Sequence, residues 1–498
     1  MGSDARTIDF NSSWRSFAVI FGIVVVACLM GGAIALTGNG PSNQTIIAGV
    51  LAVIIIGAVA CFVADLPVIE YVRFAFIASF FFKGDIMLFK INEVEDPSGL
   101  NFSLTLLTAT ILLAHFLLVD TDRTKVFTRS FAFLLTALFI VACISVLLNE
   151  SSALGWFSVF SFLTSALVAF VIAAHFSYRD GLKTLIAGTA AGLLFTGVVA
   201  LAQYFLDFPT SYAVLGTGTE EELLGTQSIL LSRVPAFLRT PTEMAWVIAS
   251  LIPLVVAPVA YRVADYKLRQ RILLLAAALL GTVAVILSLA RGSWVSLVVA
   301  VVIPAFFAIF SFKTRERKRY LVGVLITASL GLLLLAPFSA RIYDRLTGDD
   351  EGSALIRIPL METASRMIAA NPVTGVGLNN YRDTMTKYDE TGMFVSQVFP
   401  NPVHNVFAHI TAEIGIPGGI IFCLLILTVL YECFRSLSAG DRLLCAIAIG
   451  TGAGIIGFVI SAMKEPGSLG SVRPPIRTLF FLFGTALAIS RMRRRLLL

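Results

Sequence analysis

Charge is scarce in this chain. Only 14% of its 498 residues are Asp, Glu, Lys or Arg, while 57% are hydrophobic and the mean hydropathy is +0.88. A soluble domain carries about a quarter charged residues, so a water-soluble globule is excluded. The net charge of +6 is too thinly spread to read as a nucleic-acid surface. The six cysteines (Cys28, Cys61, Cys143, Cys423, Cys433, Cys445) all lie in or beside apolar runs, and none forms a Cys-x-x-Cys pair. That argues against a disulfide framework and against a zinc site built on cysteines. Histidine is rarer still, at four residues: His115, His175, His404 and His409. Phosphate-cradling P-loops, Ser-His-Asp orders and Asp-x-Asp pairs beside a histidine are also absent.

What is present is long apolar runs. They are centred on 17–36, 46–63, 67–82, 102–119, 131–148, 154–174, 182–206, 242–260, 271–290, 293–310, 320–337, 417–434, 443–462 and 476–490. Runs of this length predict membrane-spanning helices, and barrel strands would instead alternate over short segments. The expected fold is therefore all-α, a single polytopic membrane domain over 1–498 with about fourteen transmembrane helices. The run at 67–82 is the weakest span, because Glu70 and Arg73 lie one helical turn apart within it and are placed to pair. The first run also admits a signal-peptide reading, with Ala33-Ile-Ala35 as a cleavage site; an uncleaved span fits its length and mixed flanking charges better.

Basic residues set the orientation. With the N-terminus in the cytoplasm, nearly every cytoplasmic loop is basic, as is the Arg491–Arg495 tail, whereas loops 37–45 and 149–153 on the other side hold no Lys or Arg. Both termini are then cytoplasmic. Two outward loops are long, 207–241 and 338–404, and loops of that length are usually functional or disordered. In the second, Leu355, Ile358, Met361, Ala364 and Ile368 recur at helical spacing, which predicts an amphipathic helix over 354–370 on the outer membrane surface. Asn371-Pro372 ends that helix, and Gly375-Val-Gly377 makes a tight turn.

Polar groups that could carry chemistry gather on this outward side. Arg239 precedes Thr240-Pro-Thr-Glu243, a helix-opening stretch. Arg291 sits in a hairpin between two spans, in Ser288-Leu-Ala-Arg291-Gly-Ser-Trp294. Arg233, Arg341, Arg345, Arg357 and Arg366 share the layer, against the usual depletion of arginine there. His404-Asn405 stands at the mouth of a helix, and Asn405, His409 and Glu413 recur every four residues, so they are expected to share one face. His409 reads as structural, Glu413 as a packing or network acid, and His115 and His175 as uninvolved.

The stretch from Asn371 to Gly419 resembles the signature of the O-antigen ligase and polymerase superfamily of membrane glycosyltransferases. A Pro-x-x-Gly-x-Gly turn (Pro372, Gly375, Gly377) is followed by His-Asn … Glu-x-Gly-x-x-Gly (His404, Asn405, Glu413, Gly415, Gly418). Ala408 departs from a usual leucine. The Arg291 hairpin resembles the family's Ser-Arg-Gly-x-Trp segment. The resemblance implies a second-class GT-C fold with the outer loop capping a lipid-facing cavity in the bacterial inner membrane. It implies an inverting, metal-independent enzyme with no cofactor, working at the periplasmic face on an undecaprenyl-diphosphate glycan donor. The acceptor would be lipid A core or a lipid-linked repeat unit, among membrane lipids, with polysaccharide chain-length and export proteins as candidate partners. His404 would be the catalytic base, Arg239, Arg291 and Arg357 the diphosphate ligands, and Asn405, Glu413, Gly375 and Gly377 supporting residues. The rival is a lipid-linked glycan flippase or transporter, but deep charges are few (Glu70, Arg73, Asp207), which favours chemistry on one side over passage through the middle. A structural scaffold would leave 371–419 unexplained.

Overall fold

A computed structural model describes residues 68–81, 85–90, 99–119, 125–149, 153–206, 233–238, 240–311, 314–347, 353–471 and 474–496. The expected spans at 17–36 and 46–63, the cleavage question, Asp207, Arg239 and most of the 207–241 loop lie outside the described residues.

The described chain opens with α1 (Val68–Ala78) and a 3-10 turn (Ser79–Phe81). An antiparallel hairpin of β1 (Asp85–Lys90) and β2 (Gly99–Ser103) follows, with Asp85 opposite Ser103 and Lys90 opposite Gly99. All remaining elements are helical: α2 (Leu104–Leu118), α3 (Arg129–Leu148), α4 (Ala153–His175), α5 (Arg179–Leu206), α6 (Pro241–Ala260), α7 (Leu268–Leu287) and α8 (Arg291–Ser311). Then come α9 (Thr314–Leu335), running through a 3-10 turn into α10 (Ser339–Thr347), and α11 (Ser353–Ala370), α12 (Tyr381–Tyr388) and α13 (Val395–Val398). The last three are α14 (Val406–Ser436), α15 (Arg442–Ala462) and α16 (Pro474–Leu496).

Among the described residues, nine helices are long and apolar enough to cross a membrane, so this is a polytopic membrane protein. Three expected spans are not among the nine. A crossing needs about 20 apolar residues; the segment at 102–119 forms a helix of 15 residues instead, and within 67–82 the described helix is Val68–Ala78. In α1, Glu70 and Arg73 pair as expected, and Arg73 also donates to the Tyr178 hydroxyl at 2.7 Å. The third, α16, has 23 residues but carries Arg477 near one end and three arginines in its last turn.

The bundle centres on α6 and α16, both buried along almost their whole length. Small residues let their neighbours close in. A Cβ on Gly454 of α15 would lie 2.4 Å from the Ser250 carbonyl of α6, and one on Gly484 of α16 would lie 2.8 Å from the Ala169 carbonyl of α4. Such close approach replaces the hydrophobic drive that lipid does not supply. At one end of the bundle, basic residues tie the helices together. Arg179 bonds both Asp265 and Asp441, and Lys183 lies 3.4 Å from Asp265. Burial alone would raise the Asp265 carboxyl, but those cations outweigh it and hold it below the usual carboxylate range. Arg491 is buried and donates to the Ala174 carbonyl at 3.1 Å and the Ser177 hydroxyl at 3.3 Å, while Arg495 donates to the Ser177 carbonyl. These arginines satisfy carbonyls left over at the end of α4.

Residues 353–405 form a cap with its own small core, in which Leu360, Ala364 and Met367 of α11 meet Val376, Tyr381, Met385, Val395 and Val403. The amphipathic helix has the expected extent. Leu355 and Ile358 are exposed, and Leu360, Thr363, Ala364 and Met367 are the buried positions. The helix carries two apolar stripes, and the cap core takes the one that α12 and the 395–403 segment can cover.

Candidate active site

The turn after α11 is bonded to a break in α14. Ile414 and Gly415 leave helical geometry, and Pro417 contributes no amide hydrogen. Backbone groups freed at the break pair with the turn: Val376 N donates to Ala412 O at 2.9 Å, Gly377 N to Glu413 O at 3.0 Å, and Ile416 N to Pro372 O at 2.8 Å. Two glycines are required by this contact. Gly375 has φ +67°, and a Cβ there would lie 2.3 Å from the Glu413 carbonyl; one on Gly415, φ +77°, would lie 2.2 Å from Val373 O. Gly377 also has positive φ, at 104°.

The Glu413 side chain holds the same junction from inside. It is 1% exposed. Its Oε1 accepts from the Asn379 amide at 3.0 Å and lies 3.2 Å from His409 Nε2, and its Oε2 accepts from the Ser468 hydroxyl at 2.5 Å. Ser145 of α3 donates to the Glu413 carbonyl at 2.7 Å. One residue thus joins the turn, α14, α3 and the α15–α16 connection. The expected shared face of Asn405, His409 and Glu413 forms only in part. His409 meets Glu413, but the Asn405 side chain turns back to cap α14, accepting from the Phe407 and Ala408 amides at 3.0 and 3.1 Å. Those amides have no partner within the helix, and Asn is well suited to supply one.

That cap leaves His404 just outside the helix, stacked on Phe399 with ring centroids 5.9 Å apart. It faces a cavity of about 280 Å³. The start of α6 contributes Thr242, Glu243 and Trp246, the loop before it contributes Arg233, and the α15–α16 connection contributes Glu465 and Ser471. Arg233 is fixed by its bonds to the Ser288 carbonyl (2.8 Å) and the Thr242 hydroxyl (3.2 Å). Burial pushes its guanidinium below the ordinary value, Arg345 adds to that, and Glu465 opposes it.

Beside the cavity is the hairpin between α7 and α8. Leu289 takes positive φ to make the turn, and Trp294 anchors it by donating to the Val285 carbonyl at 3.1 Å. Arg291 opens α8 here. Arg345 donates to the Leu289 carbonyl at 3.1 Å, and the Lys464 side chain lies against Gly292. The hairpin therefore carries a basic rim of Arg233, Arg291, Arg345 and Lys464. Of the residues read from the sequence, His404 lines the cavity and Arg291 lies on the adjoining hairpin. Arg357 is exposed on α11 and is not part of the cavity wall. Sequence reading set Arg233 aside and did not single out Glu243 or Glu465 as cavity residues. The available signal for Glu465 was its place, a Lys-Glu pair between two apolar runs. Among the described residues, no group of three or more His, Cys, Asp or Glu side chains is arranged to hold a metal ion.

Residues 276–423 match the family model described as O-antigen ligase. The match supports the family read from the 371–419 signature, and it spans the hairpin, the cap, the bonded turn and His404. It stops short of 233–246 and 465–476, which supply every other residue of the cavity wall. No curated protein matches the chain. The protein is thus a polytopic membrane protein with a segment similar to the O-antigen ligase family.

Proposed function

We propose that the protein transfers or polymerises a polyprenyl-diphosphate-linked glycan onto an acceptor sugar at the periplasmic face of the inner membrane. The observation that carries this reading is the position of His404, which lines a polar cavity beside an arginine-bearing hairpin. His409 is instead bonded to Glu413, and His175 to the Leu112 carbonyl at 2.7 Å. In the reaction, an acceptor hydroxyl attacks the sugar carbon that carries the diphosphate. The new C–O bond forms as the bond to the diphosphate oxygen breaks, and one displacement inverts that carbon. The hydroxyl proton passes to the His404 imidazole, the side-chain type best suited to accept a proton near neutral pH. Arg291, with Arg239, neutralises the departing diphosphate through planar two-point contacts. Asn405 fixes where His404 stands by starting α14 one residue later. Arg357 belongs further out, on the cap, where it meets the diphosphate only as the donor enters.

The orientation with both termini in the cytoplasm, and with 338–404 outside, rests on the basic bias of the loops. The test of function is transfer by purified protein given a labelled polyprenyl-diphosphate repeat unit, with and without lipid A core, in the presence of EDTA. A longer product is expected, and the acceptor that lengthens separates ligase from polymerase. Donor crossing a vesicle bilayer with no covalent product would instead identify the flippase.

A further inference from the structure

His404 ends a short strap that leads from α13 to α14, Phe399-Pro400-Asn401-Pro402-Val403-His404. Each proline fixes its own φ near −65° and biases the residue before it toward extended backbone, so the strap is stiff before it folds. Two local bonds add to this: Asn401 N donates to Phe399 O at 2.7 Å, and Asn405 N to Val403 O at 2.8 Å. Phe399 N is tied to Val395 O of α13 at 2.9 Å, and Val403 is buried in the cap core with Tyr381. Asn405 caps α14. The backbone on both sides of His404 is thereby set. The imidazole still has its two side-chain torsions to fix, and the Phe399 ring lies along it, 28° from parallel with centroids 5.9 Å apart. That is the offset arrangement aromatic rings prefer.

We propose that Phe399 is a positioning residue for glycan transfer: its ring sets the plane of the His404 imidazole and stabilises the imidazolium formed when the acceptor hydroxyl gives up its proton. The inference rests on His404 being the base in the reaction above and adds what holds that base and its new charge. A cation within about 6 Å of an aromatic centroid is attracted to the ring, and a neutral imidazole gains no such term. The stack is therefore worth more after proton transfer than before it, which is the property a rate-enhancing contact needs. Phe399 packs against the cap core and is not part of the cavity wall, so it acts through His404 and not on the sugar. The charged groups that share the cavity with His404 are Arg233 before α6, Glu243 on α6 and Glu465 between α15 and α16. On α14, His409 and Glu413 are bonded to each other, and on the cap Asp389 is bonded to Thr391 and Ser396. All of these stay in place when Phe399 is replaced, so a difference between variants reports the ring.

The experiment uses full-length protein in lipid nanodiscs, with two readouts. In the first, carbon-13-labelled histidine gives signals from the four histidines, and the His404 signal is the one lost in His404→Gln. Its titration midpoint should fall by about 0.4–0.7 pH unit in Phe399→Leu, the equivalent of losing an exposed cation–π contact, and should return in Phe399→Tyr. In the second, transfer of the labelled polyprenyl-diphosphate repeat unit is followed against pH, with lipid A core and the lipid-linked repeat unit in turn as acceptors. Turnover of Phe399→Leu should fall about 10-fold, within the loss of up to about 10² that misplaced reacting groups can cause. Both KM values should be unchanged, the acid limb of the kcat/KM profile should move with the titration, and Phe399→Tyr should restore turnover. Leucine keeps the strap's apolar contact with the cap, so a fall in melting temperature alone, with titration and turnover per folded molecule as in wild type, would overturn the role of the ring. So would a raised KM with turnover unchanged, or a tyrosine variant that folds but restores neither readout. A moved titration with unchanged transfer, or full transfer by His404→Gln, would overturn His404 as the base and leave the stack standing.

Discussion

Two parts of one signature behave in opposite ways. At the turn and break formed by 372–377 and 412–416, polar groups are satisfied inward: amides on carbonyls, Glu413 on three donors, and glycine backbone against backbone. At the 399–405 corner, Asn405 is consumed by capping, and His404 is left facing a cavity. The glycine and glutamate spacing thus reports a folding requirement, and the histidine faces the cavity proposed above as the site. Substitutions at the two parts should therefore separate stability from turnover.

The largest effect expected is on turnover. His404→Ala should lower glycan transfer by about 10²–10⁴-fold, the range for a positioned general base, with donor binding and melting temperature unchanged. His409→Ala should reduce the yield of folded protein, with near-normal turnover per folded molecule. Loss of turnover in His409→Ala alone would reverse the assignment. Next, Glu413→Ala strands buried donors on three elements and should cost about 3–5 kcal/mol, read as a lower melting temperature in detergent. A variant that melts normally but is inactive would move Glu413 from the fold to the chemistry. Smaller again, Asn405→Ala should cost about 0.5–2 kcal/mol for the lost cap, and it should also slow transfer, since the start of α14 sets where His404 stands.

The smallest effect concerns pH and the cap. Burial alone would raise the Asp389 carboxyl, but bonds from the Thr391 hydroxyl and amide and from the Ser396 amide at 2.7 Å hold it at about 2. Its unfolded value is about 3.9. The stability it contributes is therefore fully present above about pH 4 and is lost as pH falls toward 2. Melting curves between pH 6 and 2.5 should show this decline, and Asp389→Asn should flatten it. An unchanged pH profile in that variant would place the acid sensitivity elsewhere.

How much could be read in advance followed from the range of the interactions. The helices from 129 onward were legible because apolar runs act locally, as was the Glu70–Arg73 pair, one turn apart. The His404-Asn405 corner was legible through its spacing. Arg233 and Glu465 were not, because what makes them cavity residues is the meeting of three segments far apart in sequence. Which residues of α11 pack into the cap core was not legible, because two apolar stripes are equivalent until a partner covers one of them. The β1–β2 hairpin escaped because its register depends on pairing, which no helical period reveals.

The buried position of α16 has a consequence for biogenesis. This helix leaves the ribosome after every other described helix, yet it ends between α4, α6, α14 and α15. Its partners are therefore made before the piece that fills their centre. Glu432 of α14 waits as well. It is buried in the finished bundle, and there it accepts from Ser490 at 2.6 Å and Arg493 at 3.1 Å, both on α16. The last helix thus adds Ser490 and Arg493 to Arg435, which lies 3.7 Å from Glu432 on α14 itself, and this makes the closing step of assembly electrostatic as well as steric.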